Sequence, residues 1–207
     1  MEGVAALLID LDGVIRRWDR NPRPASAIEA THDLPPGALV AAAFTDLLEA
    51  AILGHIADEA WRDRIVDRLA EQYDRPVAAS AVAAWSAGSG VIDHDILAHV
   101  RAVRSRAPVC LVTNATTRLE RDLERLGISG EFDAVVSSAR VGARKPQPEI
   151  FRAALQAVDV PAERALFVDD TRTHVEAARS LGLRGHVFLD APRLAVALQE
   201  VGLLPPP

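Results

Sequence analysis

Short, wholly apolar runs and longer segments of helical period divide this chain unevenly. Val4–Ile9 is continuously apolar, as expected of a strand buried on both faces at the centre of a parallel sheet. From about residue 16 to 90 every pattern is helical or irregular, and no strand is expected there. The prolines Pro22, Pro24, Pro35 and Pro36 bracket one short helix across Ala25–Thr31. Ala41–Leu53 follows as a helix broken at Gly54. Asp58–Tyr73 is the clearest helix, with Trp61, Ile65, Leu69 and Tyr73 four residues apart. Its Asp58–Arg62 pair and neighbouring charges read as a solvated face. Val77–Trp85 completes the set, with Trp61 and Trp85 as its apolar core, and the Gly/Ser stretch 86–90 ends it.

Beyond Asp93 helix and strand alternate. Helices are predicted over His94–Ser105, Thr117–Leu126 (stopped by Gly127), Pro148–Val158, Thr173–Leu181 and Pro192–Val201, with a frayed tail at Pro205–Pro207. Strands are predicted over Val109–Thr113, Ala134–Ser137, Ala165–Val168 and Gly185–Leu189. With the first run, these make a five-stranded, doubly wound parallel α/β sheet. Residues 1–15 and 91–207 form the core domain, and 16–90 a helical insertion leaving after the first strand.

The strand ends hold the candidate chemistry, because ligands of such sheets bind beyond the carboxyl ends of the strands. The first strand runs into Asp10-Leu11-Asp12-Gly13. Side chains two apart on a strand share a side, so Asp10 and Asp12 point together and Leu11 turns to the core. Gly13 lets the backbone leave without a Cβ in the way. Two like charges about 4 Å apart cost roughly 4 kcal/mol at an effective dielectric near 20, which calls for a cation or a proton. The second strand ends in Thr113-Asn114, the segment after the third carries Arg144-Lys145-Pro146, and the fourth ends in Asp169-Asp170. Each group alone has a plain explanation: solvated acids, a helix cap such as Thr116 or Thr117, a surface lysine. Together, at one edge and in this order, they define a site.

Composition narrows the partners. The chain has 207 residues, 49% hydrophobic and 25% charged, with a formal net charge of −6. That balance argues against nucleic-acid or anionic-membrane partners, which need basic patches. The apolar N-terminus is too short for a signal peptide and has no basic flank. No run reaches the roughly 18 apolar residues of a membrane helix. Cys110 is the single cysteine and sits in an apolar run as a small buried hydrophobe. A cytoplasmic protein is expected.

These motifs resemble the haloacid dehalogenase superfamily of phosphohydrolases across essentially the whole chain. Asp10-Leu11-Asp12-Gly13-Val14 matches its D-x-D-G-[TV] motif, and Leu111-Val112-Thr113, followed by Asn114, its second. Lys145-Pro146-Gln147-Pro148-Glu149-Ile150-Phe151 matches the third, and Phe167-Val168-Asp169-Asp170 the fourth. The insertion falls where the family places a C1-type cap on its Rossmann-like core. The overall look is similar to small sugar-phosphate phosphatases and to the phosphatase domain of soluble epoxide hydrolases.

The resemblance implies Asp10 as nucleophile, forming an aspartyl-phosphate, and Asp12 as general acid and base. It implies Mg²⁺ on Asp10, the Asp12 carbonyl and Asp170, with Asp169 in the outer shell or as a further ligand. Thr113 and the amides around Asn114 would hold a phosphoryl oxygen, and Lys145 both that group and Asp10. Four carboxylates and Lys145 carry −3; one Mg²⁺ makes −1, and a protonated Asp12 makes zero.

Many members carry a second acid four residues beyond Asp170, where this chain has His174, which also reads as a helix-surface histidine. Arg16, Arg17, Trp18 and Arg20 are candidate substrate contacts that also read as a solvated linker. His32, His55, His94 and His99 form no ligand set. The expected substrate is a small phosphorylated metabolite, and the expected state a monomer or homodimer. A dehalogenase on the same fold is disfavoured by the acid at Asp12, since halide leaves unprotonated. A phosphomutase stays open. A phosphoacceptor signalling domain orders its lysine differently, and a non-catalytic binding relative is opposed by the intact set of groups.

Overall fold

Ala6, Leu7, Leu8 and Ile9 are completely buried, and alternate members of this run pack into different apolar clusters on the two faces of one sheet. The computed structural model describes residues 3–18 and 24–206. Strand β1 (Ala6–Ile9) is followed by β2 (Arg16–Arg17) and five helices. These are α1 (Ala25–Thr31), α2 (Ala38–Ala43), α3 (Asp46–Ile52), α4 (Asp58–Ala70) and α5 (Arg75–Ser86). The chain returns through β3 (Val91–Ile92) to α6 (His94–Arg104), β4 (Val109–Thr113), α7 (Leu119–Arg125), β5 (Ala134–Ser137) and α8 (Ser138–Val141). It ends with α9 (Pro148–Val158), β6 (Ala165–Asp169), α10 (Arg172–Ser180), β7 (Arg184–Val187) and α11 (Ala191–Glu200).

The five-stranded sheet has the order β5-β4-β1-β6-β7 and is parallel throughout. This is the predicted doubly wound, Rossmann-like α/β fold with a helical insertion. Its register sets the site. Ile9 lies opposite Leu111 of β4 and Val168 of β6, so the next residues along, Asp10 and Asp169, leave the sheet side by side. On one face Leu7, Ile9 and Leu111 pack with Val100 of α6 and Leu194 of α11. On the other, Leu8, Cys110 and Phe167 pack with Phe151 of α9 and Val175 of α10. The insertion has its own apolar cluster around Leu39, Trp61, Ile65, Leu69 and Val82. Among the described residues no helix is long and apolar enough to cross a membrane.

Several local expectations change. A strand does occur at residue 16: Arg16 and Arg17 pair antiparallel with Ile92 and Val91, a ladder too short to leave a hydrophobic period. The helix expected over Ala41–Leu53 is two helices. Thr45, extended at φ −126°, ψ −176°, accepts from the Leu47 amide and starts α3. Helix α7 starts at Leu119 rather than Thr117, because the hydroxyls of Thr116 and Thr117 bond Asp58 across the interface. Asp58 is accordingly buried, 1% exposed; it ties the insertion to the core through Thr116 and Thr117 and pairs with Arg62 within the insertion instead of facing solvent. The short helix α8 was also not foreseen; its Ser138 hydroxyl donates to the Ile52 carbonyl, a second tie to the insertion.

Two expected outcomes follow from this packing. Gly54, at φ 73°, lies where a Cβ would come within 2.1 Å of the Ala139 carbonyl oxygen. Gly54→Ala should therefore cost on the order of 3 kcal/mol. Gly127→Ala should cost about 1 kcal/mol, because Gly127 shares a positive φ of 70° but has nothing within 4 Å. Equal denaturation midpoints for the two variants would rule out the close approach. Burial also pushes the Cys110 thiol up to about 12, so Ellman's reagent should titrate no thiol in native protein and one in denaturant.

Candidate active site

Lys145 is 1% exposed and stands between two carboxylates. Its Nζ is 2.7 Å from Asp10 Oδ1 and 2.7 Å from Asp169 Oδ2, with the Phe167 ring beneath it at 5.7 Å. The loop carrying it is fixed by Asn114. The Asn114 Nδ2 donates to the Lys145 carbonyl at 3.1 Å, and the Lys145 amide donates to Asn114 Oδ1 at 2.8 Å. Asn114 therefore positions Lys145. The Ala115 amide, next to it, donates to Ser138 Oγ.

Asp10 is held by the Leu11 amide at 2.7 Å as well as by Lys145. Burial pushes its carboxyl up to about 7, against the pull of Lys145, and the charges of Asp169 and Asp12 add to the rise. Asp169 moves the other way. Burial opposes ionisation there too, but His174, Lys145 and the Thr171 amide all bond its oxygens and hold its carboxyl low. The two carboxylates sharing Lys145 thus have opposite environments. Burial also raises the Asp170 carboxyl. Lys145 stays firmly protonated, because the pull of Asp10 and Asp169 outweighs its burial.

Carboxylate oxygens of Asp10, Asp169 and Asp170 can all lie within 4.8 Å of one another, a hard, all-oxygen donor set suited to a divalent cation. The backbone makes room for it: Gly13 has φ 82°, and a Cβ there would fall 2.0 Å from Asp170 Oδ2. The three acids against one lysine also leave negative charge for a cation to offset. These residues fit a magnesium ion.

Asp12 sits between two cavities. One, of about 320 Å³, is lined by Asp10, Asp12, Thr113, Asn114, Lys145, Asp170 and His174. The Thr113 hydroxyl there is buried without a hydrogen-bond partner, as a donor awaiting an anion would be. The other, of about 520 Å³, lies between insertion and core and shares Asp12 and Asn114. Arg16 grips Asp12 through Nε to Oδ1 at 2.7 Å and Nη2 to Oδ2 at 2.8 Å. Trp18 Nε1 adds a bond to Oδ1 at 2.6 Å.

The structure thus brings together every residue singled out for chemistry at the strand ends, and adds to them. Arg16 and Trp18 reach the site through Asp12, whereas Arg20 lies outside the described residues. Trp61 and Trp85 pack edge to face at 5.8 Å, within the apolar cluster of the insertion, and also line the larger cavity. His174 is not a free surface histidine: its Nδ1 lies 3.1 Å from both Asp169 oxygens. Sequence reasoning missed Asp58 and Arg62, and the Arg118–Asp122 pair with its Nε–Oδ1 distance of 2.8 Å. Their i,i+4 spacing was visible, but their burial was not.

The haloacid dehalogenase-like hydrolase family profile matches residues 4–182. A phosphorylated carbohydrates phosphatase of Thermotoga maritima is 33% identical over 89 residues, 43% of this chain and 41% of that protein. The chain spans from about 6% to about 41% of the length of the curated relatives it matches. A HAD family enzyme of Bacteroides thetaiotaomicron, solved with magnesium and inorganic phosphate, superposes with a TM-score of 0.74 at 21% identity, covering 93% of this chain and 99% of that one. The L-2-haloacid dehalogenase of Xanthobacter autotrophicus superposes at 0.61 with 18% identity, covering 98% of this chain and 85% of that one. The family match, the sheet order and the converging acids agree, and the chain belongs to the haloacid dehalogenase-like hydrolases.

Proposed function

We propose that this hydrolase cleaves a small phosphate monoester through an aspartyl-phosphate on Asp10. The observation that carries the reading is the pairing of Asp10 and Asp169 with Lys145 and the gathering of both with Asp170 around a common cation-sized space, with Asp12 beside it at the mouth of the larger cavity. Asp10 and Asp170 would hold the magnesium ion, with Asp169 behind them, because both Asp169 oxygens already accept from Lys145, His174 and Thr171. When bound, the ion supplies positive charge against the phosphate dianion.

Lys145 holds Asp10 in place and adds the only buried ammonium near the phosphoryl group. Thr113 Oγ donates to a phosphoryl oxygen. The Asp10 carboxylate attacks phosphorus as the ester P–O bond breaks, and Asp12 gives its proton to the departing alkoxide. Asp12 then takes a proton from water, which attacks the aspartyl-phosphate and releases phosphate and Asp10. Arg16 and Trp18 set the direction of Asp12, and Arg16 must release one of its oxygens for the acid step. The helical insertion serves as the cap that excludes bulk water.

Purified protein should release phosphate from monoesters with Mg²⁺ and lose at least a hundredfold of that rate in chelator. Asp10→Asn should abolish turnover; a folded Asp10→Asn protein with wild-type turnover would overturn the nucleophile assignment. Halide release from a 2-haloacid, without phosphate release from any ester, would instead favour dehalogenation.

A stability measurement checks the charge balance separately. The folded-state carboxyl of Asp10 is raised from 3.8 to about 7, so metal-free native protein binds this proton more tightly than the unfolded chain and loses stability as pH rises from about 4 to 7. In chelator, Asp10→Asn should be more stable than wild type at pH 8, by an amount on the order of 2 kcal/mol. The difference should vanish near pH 4; a pH-independent difference would contradict the assignment.

A further inference from the structure

The larger cavity says what the phosphate is attached to. It holds about 520 Å³, within the range of pockets that enclose drug-sized ligands. All three tryptophans of the chain, Trp18, Trp61 and Trp85, line it together with Phe44. Among the described residues six large apolar side chains stand exposed, and three of them, Trp18, Val40 and Phe44, rim this one cavity. Exposed apolar groups gathered in one place mark a binding surface, whereas scattered ones do not.

Its charges are paired. Arg16 is bound to Asp12, Arg62 to Asp58 and Arg118 to Asp122, while Arg62 Nη1 also donates to Ser86 Oγ. With Asp12 ionised, three arginines and three aspartates leave the walls with no net charge, and when Asp12 carries its proton Arg16 still faces Asp122 Oδ2 at 3.6 Å. A second anionic group on the substrate would therefore lose its hydration without meeting an uncompensated cation. A polyhydroxylated sugar would leave hydroxyls facing tryptophan and phenylalanine. What the walls still offer is little: Arg118 Nη2 is buried without a hydrogen-bond partner, and Arg16 Nη1, also without one, faces Asp122 Oδ2 at 3.6 Å. Arg118 Nη2 leaves room for at most one oxygen acceptor on an otherwise apolar body.

We infer that the leaving group is a neutral, largely apolar, ring-bearing alcohol, so that the substrate is the phosphate monoester of such an alcohol rather than a sugar phosphate or a phosphorylated acid. This rests on the phosphohydrolase reading above. Asp12, shared by both cavities, meets the bridging oxygen, with the phosphoryl group on the Lys145 side and the ring against Phe44 and the packed Trp61–Trp85 pair.

The test uses four primary-alcohol esters, so that leaving-group acidity does not decide the outcome: 2-phenylethyl phosphate, 2-(2-naphthyl)ethyl phosphate, glucose 6-phosphate and O-phosphoserine. With Mg²⁺ the two arylethyl esters should show kcat/KM at least tenfold above the other two, mainly through KM. Because every tryptophan lies on this cavity, 2-(2-naphthyl)ethanol should quench intrinsic fluorescence saturably in chelator, where no turnover occurs. Phe44→Asp alters a side chain that is 63% exposed and should fold normally, yet reduce both the aryl preference and the alcohol affinity about tenfold. Equal or faster turnover of glucose 6-phosphate or O-phosphoserine overturns the inference and leaves the hydrolase reading standing. Unsaturable quenching, or quenching indifferent to Phe44→Asp, overturns it as well. No phosphate from any ester, with saturable and Phe44-dependent quenching retained, overturns the hydrolase reading and supports the chemistry assigned to the cavity.

Discussion

The arrangement of this site depends on one ammonium group buried between two carboxylates. A lysine with 1% exposure is tolerated only because Asp10 and Asp169 compensate it, and those acids are tolerated at adjacent strand tips only because of the lysine. The register of β1 against β6 creates the problem by bringing Asp10 and Asp169 level. The loop after α8 solves it by delivering Lys145, held to Asn114 at the tip of β4 through two backbone bonds. Three strands are thereby tied at one point. One cation among three acids still leaves an excess of negative charge, and that excess gives the site its appetite for a further cation.

The same balance separates the two carboxylates that share the lysine. Asp169 collects hydrogen bonds from His174, Lys145 and the Thr171 amide and stays ionised, while Asp10, with fewer donors, is pushed up by burial. Both acids hold the lysine, and the less stabilised one is the one proposed to attack phosphorus.

Most of the strand-end chemistry was legible in the sequence, because a doubly wound sheet gives each strand a fixed exit. An apolar run that stops on Asp10 or Asp169 has to stop at the same edge. What was illegible depends on contacts between segments far apart in the chain. Asp58 and Arg62 have the spacing of an ordinary surface pair, and only the meeting with Thr116, 58 residues away, buries them. Arg16 looked like part of a solvated linker because its partner in the ladder, Ile92, lies beyond the whole insertion. His174 departs from the family pattern, but its ring takes a place beside Asp169, which periodicity gives no means of detecting. The split between α2 and α3 at Thr45 came from a capping hydroxyl that overrode a continuous apolar stripe.

The chain enters the insertion through β2 and leaves it through β3, so both crossings are bound into one short ribbon. Arg16 belongs to that ribbon and at the same time clasps both oxygens of Asp12. A swing of the helical layer about this ribbon would therefore act on the guanidinium that holds Asp12, the proposed proton donor. The opening of the cavity and the placement of Asp12 thus hang on the same two-stranded ribbon.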